Sequence, residues 1–221
     1  MVLSRLSVPS LLQRAGQLAC LVSFLIPLFA TAAQAAIVTT IATPFTGDDL
    51  SVEVEIDDEI DAGNLVITLT VTDPTADLRG FFAQVTDESL LDGLSVSGTS
   101  VTSSDFDANS VINLGGGSNL NGGGSPCPCD FGVEIGTPGI GSNDIQEVTF
   151  TLTHETEDLT LALLEGQLIG VRATSVGTAG GSRNGSSKLI SIVPEPSTAI
   201  LVGVGLAALS SRSRRFARLS D

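Results

Sequence analysis

Cys127, Pro128 and Cys129 place two thiols across a single residue, next to a run of glycines. Such a pair can form a disulfide, hold a metal or cycle between redox states. Redox pairs usually read Cys-x-x-Cys at the start of a helix. A metal site needs further thiolate or imidazole ligands, and His154 is the single histidine of the chain. The remaining readings are a local disulfide, whose two α-carbons must fold back towards each other, and free or intermolecular thiols. His154 itself stands between a strand-like run and Glu155, and no Gly-x-Ser-x-Gly elbow accompanies it to suggest a nucleophile.

The acids cluster. Asp48-Asp49, Asp57-Asp58-Glu59 with Asp61, Asp105 and Asp107 with Asn109, and Glu155, Glu157 and Asp158 each bring oxygens together. Oxygen-rich loops between strands suit calcium, with Asp57, Asp58, Asp61, Asp105 and Asp107 as the candidate donors. Asp105-x-Asp107-x-Asn109 copies the first ligands of a calcium loop. It then has Ser110 where the loop needs Gly and Gly116 where it needs Glu. The other reading is solvated charge that keeps strand edges from pairing with their neighbours. Paired carboxylates also hydrolyse glycosides, in clefts lined by aromatic rings, but this chain has no Trp and no Tyr. We therefore expect no catalytic residue, and no cofactor beyond calcium.

Strands must position these groups. Ser51 to Asp57 alternates Val52, Val54 and Ile56 with Glu53, Glu55 and Asp57; Asn64 to Thr72 and Glu147 to Thr153 repeat the pattern with threonines. A period of two, rich in Val, Ile, Thr and Phe, predicts half-buried antiparallel strands. Further strands are expected at 37–41, 80–85, 94–102, 110–114, 131–135, 159–164, 168–175 and 188–192. The expected fold is all-β, a single antiparallel β-sandwich of immunoglobulin-like or jelly-roll arrangement over residues 36–191. Phe81 and Phe82 are adjacent and must face opposite sides, one into the core and the other outward or into a second layer. Residues 115–125 hold six glycines and read as a flexible loop inside the sandwich. The glycines of 177–187 mark a final hairpin loop or a stalk.

Charge is divided unevenly. Residues 36–191 carry four bases (Arg79, Arg172, Arg183, Lys188) against 23 acids, and the whole chain has a formal net charge of −15. So acidic a body repels phosphate backbones, which excludes nucleic acid as a partner.

The ends differ from the body. Arg5 and Arg14 precede the apolar run Leu18 to Ala30, and Ala33-Gln34-Ala35 sets small residues where a signal peptidase reads. We expect a signal peptide over 1–35, cut after Ala35; the apolar run is shorter than the roughly 20 residues of a membrane anchor. At the other end the order is a proline-rich motif, an apolar run and a basic tail. Val193, Pro194, Glu195, Pro196, Ser197 and Thr198 precede Ala199 to Leu209, followed by Arg212, Arg214, Arg215 and Arg218. The prolines stop a helix from extending backwards. A short membrane helix is expected over about 199–210, with the arginines of 212–218 held on the cytoplasmic side.

This three-part tail resembles the PEP-CTERM sorting signal of exported proteins in Gram-negative bacteria. The resemblance covers about the last 30 residues and implies processing by an exosortase-like membrane enzyme, with transient anchoring in the inner membrane. It also implies deposition on the cell surface or in an extracellular matrix, in association with exopolysaccharide. The body adds only a hexapeptide, Asp77-Leu78-Arg79-Gly80-Phe81-Phe82, that resembles the turn into a strand of cohesin-like sandwiches. On these readings the chain is a non-enzymatic surface or matrix structural protein. The alternative is a calcium-supported polysaccharide-binding or adhesion module.

Overall fold

The computed structural model describes residues 37–41, 44–122, 127–137 and 144–195. The expected signal peptide and its cleavage residues Ala33 and Ala35 lie outside these residues, as does the expected membrane helix. Among the described residues no helix is long and apolar enough to cross a membrane.

Alternation becomes two antiparallel sheets. The first is ordered β1 (Ile37–Ile41), β3 (Ser51–Asp57), β4 (Leu65–Asp73), β11 (Glu147–His154) and β6 (Leu94–Ser97). The second is ordered β2 (Pro44–Gly47), β13 (Gly185–Ile192), β12 (Leu168–Gly177), β5 (Thr75–Ala83), β10 (Cys129–Ile135) and β7 (Val101–Val111). A two-stranded ribbon, β8 (Asn113–Gly115) with β9 (Ser118–Asn119), forms a third, small sheet. Val52, Val54 and Ile56 of β3 are buried, and they join Val148, Phe150 and Leu152 of β11 in the main core. Phe81 and Phe131 of the second sheet belong to the same core, and the Phe81 and Phe150 ring centroids stand 5.6 Å apart. Tilted rings at that separation add to what area burial alone contributes. On the outward side of the first sheet, hydroxyls pair across strands, Thr68 with Thr149 at 3.0 Å and Ser95 with Thr153 at 2.8 Å.

The second sheet is covered on both faces. Phe82, buried like Phe81, points away from the main core and gathers Val111, Leu120, Cys127 and Cys129 into a second cluster. The register sets Phe82 between Gly132 of β10 and Gly170 of β12. A Cβ on Gly170 would collide with Leu120, and one on Gly80 with the Ser118 hydroxyl. The three glycines thus clear a floor on which the 113–121 segment lies, as glycines inside strands do where another backbone approaches closely. The Ser118 hydroxyl donates to the Arg79 carbonyl at 2.8 Å. Lys188 donates to Asn119 Oδ1 at 2.8 Å and to the Asn121 carbonyl. The glycine-rich run expected to be a flexible loop is therefore, as far as Gly122, a seated hairpin whose Leu120 is core.

Other expectations shift. Leu159 to Leu164 is not a strand but encloses a single 3-10 turn, Leu161–Leu163; a short apolar run suits either form, and Asp58 caps this one. The run expected at 94–102 divides into β6 and β7. Strand β7 continues through Ser103 to Val111, and so takes in most of the polar stretch before 110. The hexapeptide from Asp77 lies within β5 rather than in a turn leading to it. Residues 178–184 form a hairpin loop between β12 and β13, not a stalk. Substituting Gly170 by Val is expected to dislodge the hairpin through its clash with Leu120, at a cost of about 1–3 kcal/mol. Thermal unfolding and proteolysis would report it, as a melting temperature lowered by several degrees with new cuts in 113–122. An unchanged melt would mean that the hairpin is not packed on Gly170.

Candidate functional site

Strand β13 leads into the tail. Its residues alternate, with Ser187 and Leu189 buried and Ile192 exposed, and Val193 falls on the inward side. Val193 is fully buried in the main core. Its N–H donates to the Gln167 carbonyl and its carbonyl accepts from the Gly166 N–H, both at 2.9 Å. These bonds carry the β12–β13 ladder one step past the Leu168–Ile192 pair. Gly166 has φ of +70°, in the region that favours glycine, and so turns the chain back towards Val193. Pro194 has no N–H, and the ladder stops there. Pro194 and Glu195 are exposed. The Glu195 carboxylate lies over Gly166, 3.6 Å from where a Cβ would stand.

Both sheets hold this seat. The 3-10 turn before Gly166 buries Leu161 and Leu163, and Leu164 just after it is buried too. Asp58 Oδ2, just past β3, accepts from the Leu161 N–H at 3.1 Å. Thr86, just past β5, donates its N–H to the Leu163 carbonyl at 2.9 Å and its hydroxyl to the Ala162 carbonyl at 3.0 Å. Sequence reasoning assigned Asp58 to calcium and did not mark Gly166, Gln167 or Thr86. A glycine two residues after the short leucine run 161–164 was the available signal.

The other candidates are dispersed. Asp57 Oδ1 accepts from the Glu59 and Ile60 N–H groups, which ties the turn that also carries Asp61. Asp105 and Asp107 sit within β7, at the edge of the other sheet, instead of in a loop. Among the described residues no group of three or more His, Cys, Asp or Glu is placed to hold a metal ion. His154 Nδ1 accepts from the Glu157 N–H at 3.0 Å and the Thr156 N–H at 3.2 Å, so it caps its own turn. Cys127 and Cys129 are joined as a disulfide with their α-carbons 5.1 Å apart, and both are buried against Phe82 in the second cluster. Of the sorting residues, Val193, Pro194 and Glu195 are described. Pro196, Ser197, Thr198 and the arginines at 212, 214, 215 and 218 lie outside the described residues.

The four bases of the body are used internally. Arg172 donates to the carbonyls of Gly117, Ala173 and Ser187 at 3.2, 2.8 and 3.1 Å. Burial, and then the neighbouring Arg79, lower its pKa from the ordinary value. Lys188, beside Arg172 in the ladder, is also shifted down, by burial and then by that arginine. Arg79 donates to the Ile135 carbonyl at 2.6 Å and pairs with Glu134 at 3.7 Å. Arg183 pairs with Asp144. Asp130 is buried, accepting from the Val85 and Asn109 N–H groups at 2.7 Å each. Little positive charge is left to offset the acids on the surface.

The comparisons agree with this division between body and tail. The family described as the PEP-CTERM protein-sorting motif matches residues 193–215. No curated protein matches the chain, and no solved structure matches it. The chain thus carries a PEP-CTERM sorting motif, which indicates an exported, exosortase-processed protein with transient membrane anchoring and a cell-surface or extracellular destination. The match begins on Val193, the last buried residue among those described.

Burial raises the pKa of Asp77 above its ordinary 3.8, against the lowering effects of the Ile145 N–H and of Arg79. The folded state therefore holds this proton more tightly than the unfolded chain. Stability from protonated Asp77 is present at low pH and falls as pH rises from about the unfolded value through the folded one. Asp77→Asn keeps an oxygen acceptor for the Ile145 N–H. Urea unfolding from pH 3 to pH 6 should show the variant gaining on wild type as pH rises. A difference that stays constant with pH would contradict the burial of Asp77 as described.

Proposed function

We propose that this chain is a non-enzymatic structural protein of the surface or extracellular matrix of a Gram-negative bacterium. A signal peptidase removes residues 1–35, and the acidic sandwich folds outside the cytoplasm. A short helix over about 199–210 holds the chain in the inner membrane, with Arg212, Arg214, Arg215 and Arg218 on the cytoplasmic side. An exosortase-like enzyme then cuts near the Pro-Glu-Pro and passes the body on to a site associated with exopolysaccharide. The observation that carries this reading is the sorting motif over 193–215, whose first residue, Val193, is a core residue of the sandwich.

Two features of the body support the structural role. The acids and the histidine singled out for chemistry serve the backbone: Asp57, Asp58 and His154 hold turns through N–H groups. The disulfide lies in a packed cluster and fits an oxidising compartment.

Cell fractionation tests the reading. The full chain should pass through the membrane fraction to the surface or medium. A chain ending at Thr198 should stay soluble and away from the surface, and replacing the four arginines by serine should slow or misdirect anchoring. Identical distributions of the full and shortened chains would refute the sorting role of the tail.

A further inference from the structure

We infer that Lys188 and Asn119 form a site of self-modification, at which the lysine amine and the asparagine side-chain amide join in an isopeptide bond that ties the glycine-rich hairpin to β13. Lys188 Nζ lies 2.8 Å from Asn119 Oδ1, and the carbon it would attack is bonded to that oxygen. Both residues are half-buried. Each is also held from other sides. Asn119 Oδ1 accepts from the Asn121 N–H at 3.2 Å, and Asn119 Nδ2 donates to the Gly117 carbonyl at 3.4 Å. Lys188 donates a second time, to the Asn121 carbonyl. A nucleophile and a carbonyl group kept together by a fold react as if at very high concentration.

The surroundings supply what the reaction needs. An attacking amine must be neutral. In the ladder Lys188 stands between Arg172 of β12 and Thr46 of β2. Arg172 is fixed by its bonds to the Gly117, Ala173 and Ser187 carbonyls, and Arg79 of β5 acts on it from the far side. The ion pairs among the described residues belong to Arg79 and Arg183, which leaves Lys188 and Arg172 without a carboxylate partner there. Burial, and then Arg172, accordingly favour the uncharged form of Lys188. As the amine adds, negative charge develops on Asn119 Oδ1, where the Asn121 N–H already points. The Nζ–Cγ bond forms and the Cγ–Nδ2 bond breaks, while a proton passes from Nζ to Nδ2, which departs as ammonia. No oxidant or further reactant is consumed. The product keeps its oxygen on the Asn121 N–H and removes one of two neighbouring like charges from the ladder. It also makes the hairpin a covalent branch of the strand that leads to the sorting tail.

Mass spectrometry of the detergent-solubilised full chain, held folded in mildly alkaline buffer, tests the inference. The chain should be lighter than its disulfide-bonded sequence mass by one ammonia. Tryptic digestion should then yield a branched peptide that joins the segment containing Asn119 to the segment containing Lys188. Lys188→Arg keeps a cation able to donate to Asn119 and Asn121 but has no amine to react, and it should give no branched peptide. Asn119→Ala should give none either. Wild type kept unfolded in urea should also lack the branch, because the contact that drives the reaction is gone. A folded wild-type chain without the branched peptide would overturn the inference, whether its mass is unchanged or water has turned Asn119 into aspartate. A branch that survives in Lys188→Arg, or that forms equally in urea, would overturn it as well.

Discussion

The antiparallel ladder between β12 and β13 is the seam on which the rest of the molecule depends. It runs from Val176 opposite Gly185 to Leu168 opposite Ile192. Midway along it, Arg172 and Lys188 stand side by side and reach up to carbonyl and amide oxygens of the glycine-rich hairpin. Like charges as neighbours repel, but each finds acceptors that neither would have on a bare sheet, and so the seam and the hairpin hold one another. At its far end the ladder gains one more residue through Gly166 and Gln167. A single pair of strands thus organises the outer layer and fixes where the tail leaves the body.

A sheet covered on both faces explains several sequence features at once. Gly80, Gly132 and Gly170 would weaken a strand whose outer face met solvent. Here their missing side chains make room for Phe82 and for the segment carrying Leu114, Ser118 and Leu120. The disulfide closes the same cluster from the chain that enters β10. Because the body's cations point into these internal contacts, acids dominate the charge on the described surface. Excess negative charge of this kind repels other polyanions.

Much of this was legible in the sequence, and what was not has physical reasons. Strands β3, β4 and β11 alternate apolar with charged or hydroxyl residues, and the structure follows that alternation. Strand β7 escaped because Ser103 to Ser110 includes a single large apolar residue, Phe106, and an edge strand needs little burial to form. The start of β5 was hidden by Asp77 and Arg79, which are polar yet buried and tied to Ile145 and Ile135. The glycine-rich run read as flexible because its seat depends on glycines in other strands, which no local pattern reveals. The tail motif was readable from its order of parts. That its first residue belongs to the core was not, since Val193 owes its place to Gly166 and Gln167, some 26 residues earlier.

The account therefore turns on whether folding and sorting meet at Val193. Amide hydrogen exchange on the full chain probes this most directly, because protection reports the free energy of local opening. The Val193 and Gly166 amides should exchange as slowly as those of β12 around Val171. Exchange at Val193 as fast as at the exposed Glu195 would place the start of the tail outside the fold and contradict the account.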